Sequence, residues 1–117
     1  MTFQPNRPII QTEVEDKLQS LCDLLETNCE EYASVLGQRA EAEADYKYRF
    51  NRSLVEQNGK VPVVTKEAIA HLKASGEYRA WKRLEAQEKG LQQILTSIRS
   101  QLEALRTISA NVRAAGG

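Results

Sequence analysis

Residues 81–112 read WKRLEAQEKGLQQILTSIRSQLEALRTISANV. Taken at alternating steps of three and four, this stretch gives Trp81, Leu84, Glu88, Leu91, Leu95, Ile98, Leu102, Leu105, Ser109 and Val112, a heptad seam with eight apolar residues in ten positions. Gly90 lies off the seam and no Pro interrupts it. A helix of this extent is roughly 45–50 Å long. A single apolar stripe cannot bury itself, so this helix must meet another, from its own chain or from a second copy.

Upstream, Thr12 is a plausible N-cap, with Glu13, Glu15 and Asp16 in the first turn, where the helix dipole favours negative charge. The apolar stripe that follows reads Val14, Leu18, Leu21, Leu25, Cys29, Tyr32, Leu36 and Ala40, closer to an eleven-residue repeat than to a heptad. Tyr46, Phe50 and Leu54 continue the same face to about Gln57. Asn58-Gly59 then stops the helix, because Gly near the C-terminal cap accepts the left-handed conformation. Val61 to Val64 reads as extended around Pro62, Thr65 as the cap of a short helix from Lys66 to about Ala74, and Ser75-Gly76 as a second cap or a kink.

The expected fold is therefore all-α: a long antiparallel helical hairpin, coiled-coil-like, with a short connector helix, and self-associating. Residues 1–11 read as an extended Pro-containing arm, 12–114 as the hairpin domain and 115–117 as a frayed tail. Hydrophobic content of 41% and aromatic content of 6% suit a thin helical assembly better than a deep core, and favour a homo-oligomer. The seam residues Leu84, Leu91, Leu95, Ile98, Leu102 and Leu105 carry the contact, whether with a helix of the same chain or with a second copy.

Net charge is zero, but unevenly distributed. Residues 1–45 hold 3 basic against 10 acidic side chains, residues 46–83 hold 9 against 3, and residues 84–117 hold 4 against 3. An acidic first half followed by a basic middle can steer a partner although the total cancels. Cys22 and Cys29 sit one heptad apart, about 10 Å on a helix, too far for a mutual disulfide. They read as core-facing thiols in a reducing compartment. No run approaches the roughly 20 apolar residues of a membrane span, and the first residues lack the apolar core of a secretory signal.

Chemistry-bearing residues concentrate on both sides of the connector. Asp45-Tyr46-Lys47-Tyr48-Arg49-Phe50-Asn51-Arg52 and Glu77-Tyr78-Arg79-Ala80-Trp81-Lys82-Arg83 face each other in a hairpin and gather six basic and five aromatic side chains. Basic groups neutralise phosphates and aromatic faces stack bases, so Lys47, Tyr48, Arg49, Arg52, Tyr78, Arg79, Lys82 and Arg83 are candidate contacts to single-stranded nucleic acid. Against this, Tyr46, Phe50 and Trp81 fall on the apolar stripes, and the basic residues also suit a solvated or ion-paired face. His71 is the sole histidine and has no second ligand or triad partner in view. The glycines show no phosphate-loop spacing. No catalytic residue, metal site or cofactor is expected, and the chain reads as non-enzymatic.

The run Glu41-Ala42-Glu43-Ala44-Asp45-Tyr46-Lys47, the segment Glu77-Tyr78-Arg79-Ala80-Trp81-Lys82 and the closing Gln101-Leu102-Glu103-Ala104-Leu105-Arg106 resemble small helical proteins encoded by phages and prophages of Gram-positive bacteria. The resemblance spans about Val14 to Ala114. It implies a phage-encoded accessory role and supplies no catalytic residues. The expected function is that of a non-enzymatic module acting on a protein partner in the host cytoplasm, in DNA metabolism or anti-defence. Direct nucleic-acid binding by the basic aromatic segments and purely structural self-assembly are the two alternative functions.

Overall fold

The structure, a computed structural model, describes residues 11–116. Its elements are α1 (Gln11–Glu56), α2 (Val63–Lys73) and α3 (Ser75–Gly116), with no strand among the described residues. The protein is an all-α helical hairpin in which α1 packs against α3. The pairing is antiparallel, since Tyr32 meets Gln92, Arg39 meets Glu88 and Tyr46 meets Trp81. The arm read over residues 1–11 lies outside the described residues except for Gln11, which is already helical. At the other end α3 extends through Ala114-Ala115-Gly116.

All ten positions of the α3 seam turn inward. Leu91, Leu95, Ile98, Leu102 and Ser109 are buried, and Trp81, Leu84, Glu88, Leu105 and Val112 are half-buried. The α1 stripe differs from expectation. Its inward positions are Val14, Leu18, Leu21, Leu25, Asn28, Tyr32, Val35, Arg39, Ala42, Tyr46, Arg49 and Ser53, alternating steps of four and three throughout. This is a strict heptad pattern, not an eleven-residue repeat. The apolar spacing misled because polar Asn28, Arg39 and Arg49 occupy inward sites, while Cys29 and Ala40 are exposed. Cys22 and Cys29 are both free and exposed, which corrects their reading as core thiols.

The chain divides into two compact units, one drawn from Met1–Glu30 with Gln93–Gly117 and the other formed by Glu31–Gln92. The first is held by an aliphatic cluster. Leu21, Ile98 and Leu102 are buried, with Leu18, Leu25 and Leu105 packed around them. Each fully buried Leu or Ile side chain contributes about 1.5–3 kcal/mol. Ser109, the polar member of this seam, accepts a hydrogen bond at 3.1 Å from Gln11 Nε2, so its burial leaves the hydroxyl oxygen satisfied.

The second unit, which holds the connector, is packed differently. Arg39 Nε donates to Glu88 Oε2 at 2.9 Å across the two helices, with only 27% and 15% of the side chains exposed. Near the connector, Ser53, Ala70 and Ala74 are fully buried, and side chains this small let three helix segments approach closely.

The connector corrects three expectations. Gly59 takes a positive φ of 101°, as its place after the helix end requires, but Val63 and Val64 are helical rather than extended. Pro62 stands at the N-cap of α2, and its carbonyl accepts from Lys66 N–H at 3.0 Å. A proline pre-set in φ and lacking an N–H suits a helix start, so α2 begins two residues before Thr65. Thr65, like Thr12, lies inside its helix. The junction of α2 with α3 is a kink at Ala74, whose N–H donates to Ala70 O at 3.0 Å and whose carbonyl accepts from Tyr78 N–H at 2.9 Å.

Candidate functional site

The last turns of α1, the whole of α2 and the first turns of α3 converge in the second unit. Tyr46 sits at the centre, with ring centroids 5.5 Å from Trp81 in a stacked arrangement, 5.3 Å from Tyr78 and 5.9 Å from Phe50. His71, on α2, meets Tyr78 edge-on at 4.8 Å and shares a hydrogen bond of 2.9 Å between its Nδ1 and the Tyr46 hydroxyl. Lys82 Nζ lies 4.2 Å from the Trp81 ring centroid and 5.5 Å from that of Tyr78. Offset and edge-to-face aromatic pairs each contribute about 0.5–1.5 kcal/mol beyond burial. The cluster joins α1, α2 and α3 through side chains that the sequence spreads over 37 positions, from Tyr46 to Lys82.

Gln57 fastens the connector behind it, donating from Nε2 to Ser53 O at 3.2 Å and to Lys66 O at 3.0 Å. Ser53 Oγ, Gln57 Oε1 and Trp81 Nε1 are buried without a hydrogen-bond partner among the described residues. No group of three or more His, Cys, Asp and Glu among the described residues is placed to hold a metal ion.

The candidate nucleic-acid contacts divide into three groups. Lys47 pairs with Glu43 at 3.7 Å, Arg52 with Glu56 at 2.8 Å and Lys82 with Glu85 at 3.4 Å. The Glu56 hydrogen bond and charge raise the Arg52 pKa, and the Arg52 hydrogen bond holds the Glu56 carboxyl below its ordinary value. Tyr78, the second tyrosine among the candidate contacts, is half-buried in the aromatic cluster. Tyr48 is exposed, and Arg49, Arg79 and Arg83 form no ion pair among the described residues. The surface thus offers two exposed guanidinium groups without an ion pair, Arg79 and Arg83, and one exposed ring, Tyr48, whereas Arg49 is half-buried with its charge acting on Glu56, and most of the aromatic area is used internally.

Sequence reasoning missed a set of exposed apolar side chains in the same unit. Val55 is 82% exposed, Val64 78%, Leu72 71% and Val63 69%. On α2, Val64, Ala68 and Leu72 lie at i, i+4 and i+8 and form one outward line. The expectation that residues 61–64 were extended hid this line, because it needs helix from Val63.

Leu91, Leu95, Ile98 and Leu102 are buried and Leu84 and Leu105 half-buried within this chain, so α1 occupies the stripe for which a second copy was also considered. No helix among the described residues is long and apolar enough to cross a membrane. Compared with protein-family models, curated proteins and solved structures, the chain matches none.

Proposed function

We propose that this protein is a non-enzymatic interaction module that engages a protein partner through the connector and the helix turns on either side of it. The observation that carries this reading is the exposure of Val55, Val63, Val64 and Leu72 in one stretch of 18 residues. Apolar side chains exposed together mark surfaces that another macromolecule covers. Base stacking needs free aromatic faces, whereas Tyr46, Tyr78 and Trp81 are turned toward one another and Lys82 covers Trp81. The sequence resemblance implies a phage accessory role, and DNA metabolism or anti-defence within the host cytoplasm is the setting we propose for it.

Direct binding of single-stranded nucleic acid is the second reading, favoured by exposed Tyr48 and by exposed Arg79 and Arg83, which form no ion pair among the described residues. Fluorescence anisotropy with labelled single-stranded and duplex DNA, at low and physiological salt, separates the two. A protein-binding module shows at most weak association that vanishes at physiological salt. Binding that persists there, and is lost in Arg79→Glu with Arg83→Glu at unchanged helicity, replaces the first reading with the second. Self-assembly is a third reading, and sedimentation of the chain over a range of concentrations tests it.

A further inference from the structure

Between its helices the described chain has one connecting stretch longer than a single residue, residues 57–62. It carries Asn58-Gly59, and both residues are exposed. Neither the Asn58 side-chain amide nor the Gly59 N–H has a hydrogen-bond partner among the described residues. Gly59 holds a φ of 101°, with open space where a Cβ would stand.

The other asparagines of the described chain lack this freedom. Asn28 Nδ2 donates to Leu24 O at 2.8 Å. Asn51 and Asn111 lie inside α1 and α3, where the N–H of the following residue belongs to the helical hydrogen-bond ladder. An asparagine side-chain carbonyl carbon is an electrophile, and the next backbone nitrogen reaches it by closing a five-membered ring. That closure needs a nitrogen not held by an acceptor and a following residue without a side chain to obstruct the approach. Asn58-Gly59 meets both conditions.

We infer that Asn58 is a site of spontaneous deamidation, through which the connector gains a carboxylate. The Gly59 nitrogen gives its proton to solvent base and bonds to Asn58 Cγ, while the bond from Cγ to Nδ2 breaks and ammonia leaves. One water then opens the cyclic imide. Opening at the main-chain carbonyl leaves isoaspartate, and opening at Cγ leaves aspartate. Water is the sole co-reactant.

Either product takes the net charge of the chain from zero to one negative. The new carboxylate stands two residues beyond α1, whose last turn holds Glu56 and no basic residue, so it meets the negative end of the helix dipole. Isoaspartate also adds a methylene to the main chain between Gln57, which donates to Ser53 O and Lys66 O, and Pro62 at the start of α2. The site lies between the exposed Val55 and Val63, so its state alters the surface used in the protein-interaction reading. The chemistry itself does not depend on that reading.

The test follows the full chain through days in warm, mildly alkaline buffer, with tryptic peptides compared against freshly purified protein. Cleavage after Arg52 and Lys60 isolates residues 53–60. The expected result is a one-dalton gain in that peptide, located at position 58 by fragmentation, rising with time and with pH. Isoaspartyl methyltransferase then labels the aged protein and not the fresh one. Gly59→Ala slows the change about tenfold, equivalent to about 1.4 kcal/mol in the barrier. Asn58→Gln abolishes it, because glutamine must close a six-membered ring.

If residues 53–60 stay unmodified, or change no faster than the peptides carrying Asn28 and Asn111, the assignment is overturned. A gain at position 58 that yields no methylatable isoaspartate and is not slowed in Gly59→Ala overturns the cyclic-imide route.

Discussion

The two units obey one spacing rule with different chemistry. In the unit containing residues 11–30 and 93–116, the heptad positions are aliphatic except for Asn28 and Ser109, and the Gln11–Ser109 hydrogen bond closes the seam. In residues 31–92, buried Val35, Ala42 and Leu91 share the same positions with Tyr32, Arg39, Tyr46, Arg49 and Ser53 on α1 and with Trp81, Leu84 and Glu88 on α3. Aliphatic packing is strong and non-directional, so it stabilises a helix pair without tightly fixing its register. Ion pairs and tilted rings are directional, and a one-turn slip of α1 past α3 would lose Arg39–Glu88 and the Tyr46–Trp81 stack together. The comparison assigns cohesion to the first unit and alignment of the connector to the second.

The largest blow to this contrast is a charge in the aliphatic cluster. Leu102→Asp leaves an unpaired carboxylate at a site 5% exposed and is expected to cost about 4 kcal/mol or more, against about 2–4 kcal/mol for Leu102→Ala. Urea denaturation followed by circular dichroism measures both. If Leu102→Asp melts like wild type, the first unit is not the source of cohesion.

Trp81→Ala should cost about 3 kcal/mol, because it removes the ring stacked on Tyr46 and lying under Lys82. Hydrogen exchange sharpens the comparison. Protection should fall first at residues 46–81 while the amides near Ile98 remain protected.

A double-mutant cycle on Arg39→Ala and Glu88→Ala is expected to give a coupling of about 1–3 kcal/mol, given the short, partly buried contact. A coupling of zero removes the register role assigned to this pair. Two glycine substitutions should move stability in opposite directions. Gly59→Ala, at a positive φ, costs about 1 kcal/mol, whereas Gly37→Ala, inside α1 with open space around the added methyl, gains about 0.5–1 kcal/mol. Thermal melts of the two variants decide the signs.

The smallest effect is at Glu56. Its carboxyl is held below the ordinary value by Arg52, so the ionised form is favoured in the folded chain. The contribution is present above the unfolded carboxylate pKa and is lost as pH falls through the lower folded value. Carboxyl-carbon NMR should show Glu56 titrating lower than a Glu in a model peptide, with the difference reduced by salt and by Arg52→Gln.

Residues 81–112 were legible because every inward position but Glu88 and Ser109 is apolar, so pattern and burial coincide. Along α1 they part company. Asn28, Arg39 and Arg49 take inward places because partners or long side-chain stems make partial burial tolerable, and a count of apolar spacing passes over them. The basic and aromatic composition around the connector was also legible. Which rings turn on each other, and which cations remain unpaired, was not, because those facts depend on residues far apart in sequence.

By itself the sequence determined the class: two long helices with a break at Asn58-Gly59, since heptad spacing and a left-handed glycine are local properties of the chain. Tertiary structure alone decided that Tyr46, His71, Tyr78 and Trp81 form one cluster, that α1 keeps strict heptads through polar sites, and that Val64 and Leu72 are left uncovered. Helix and turn formation depend on neighbours within a few residues. Burial depends on what the rest of the chain places opposite, which no local pattern contains.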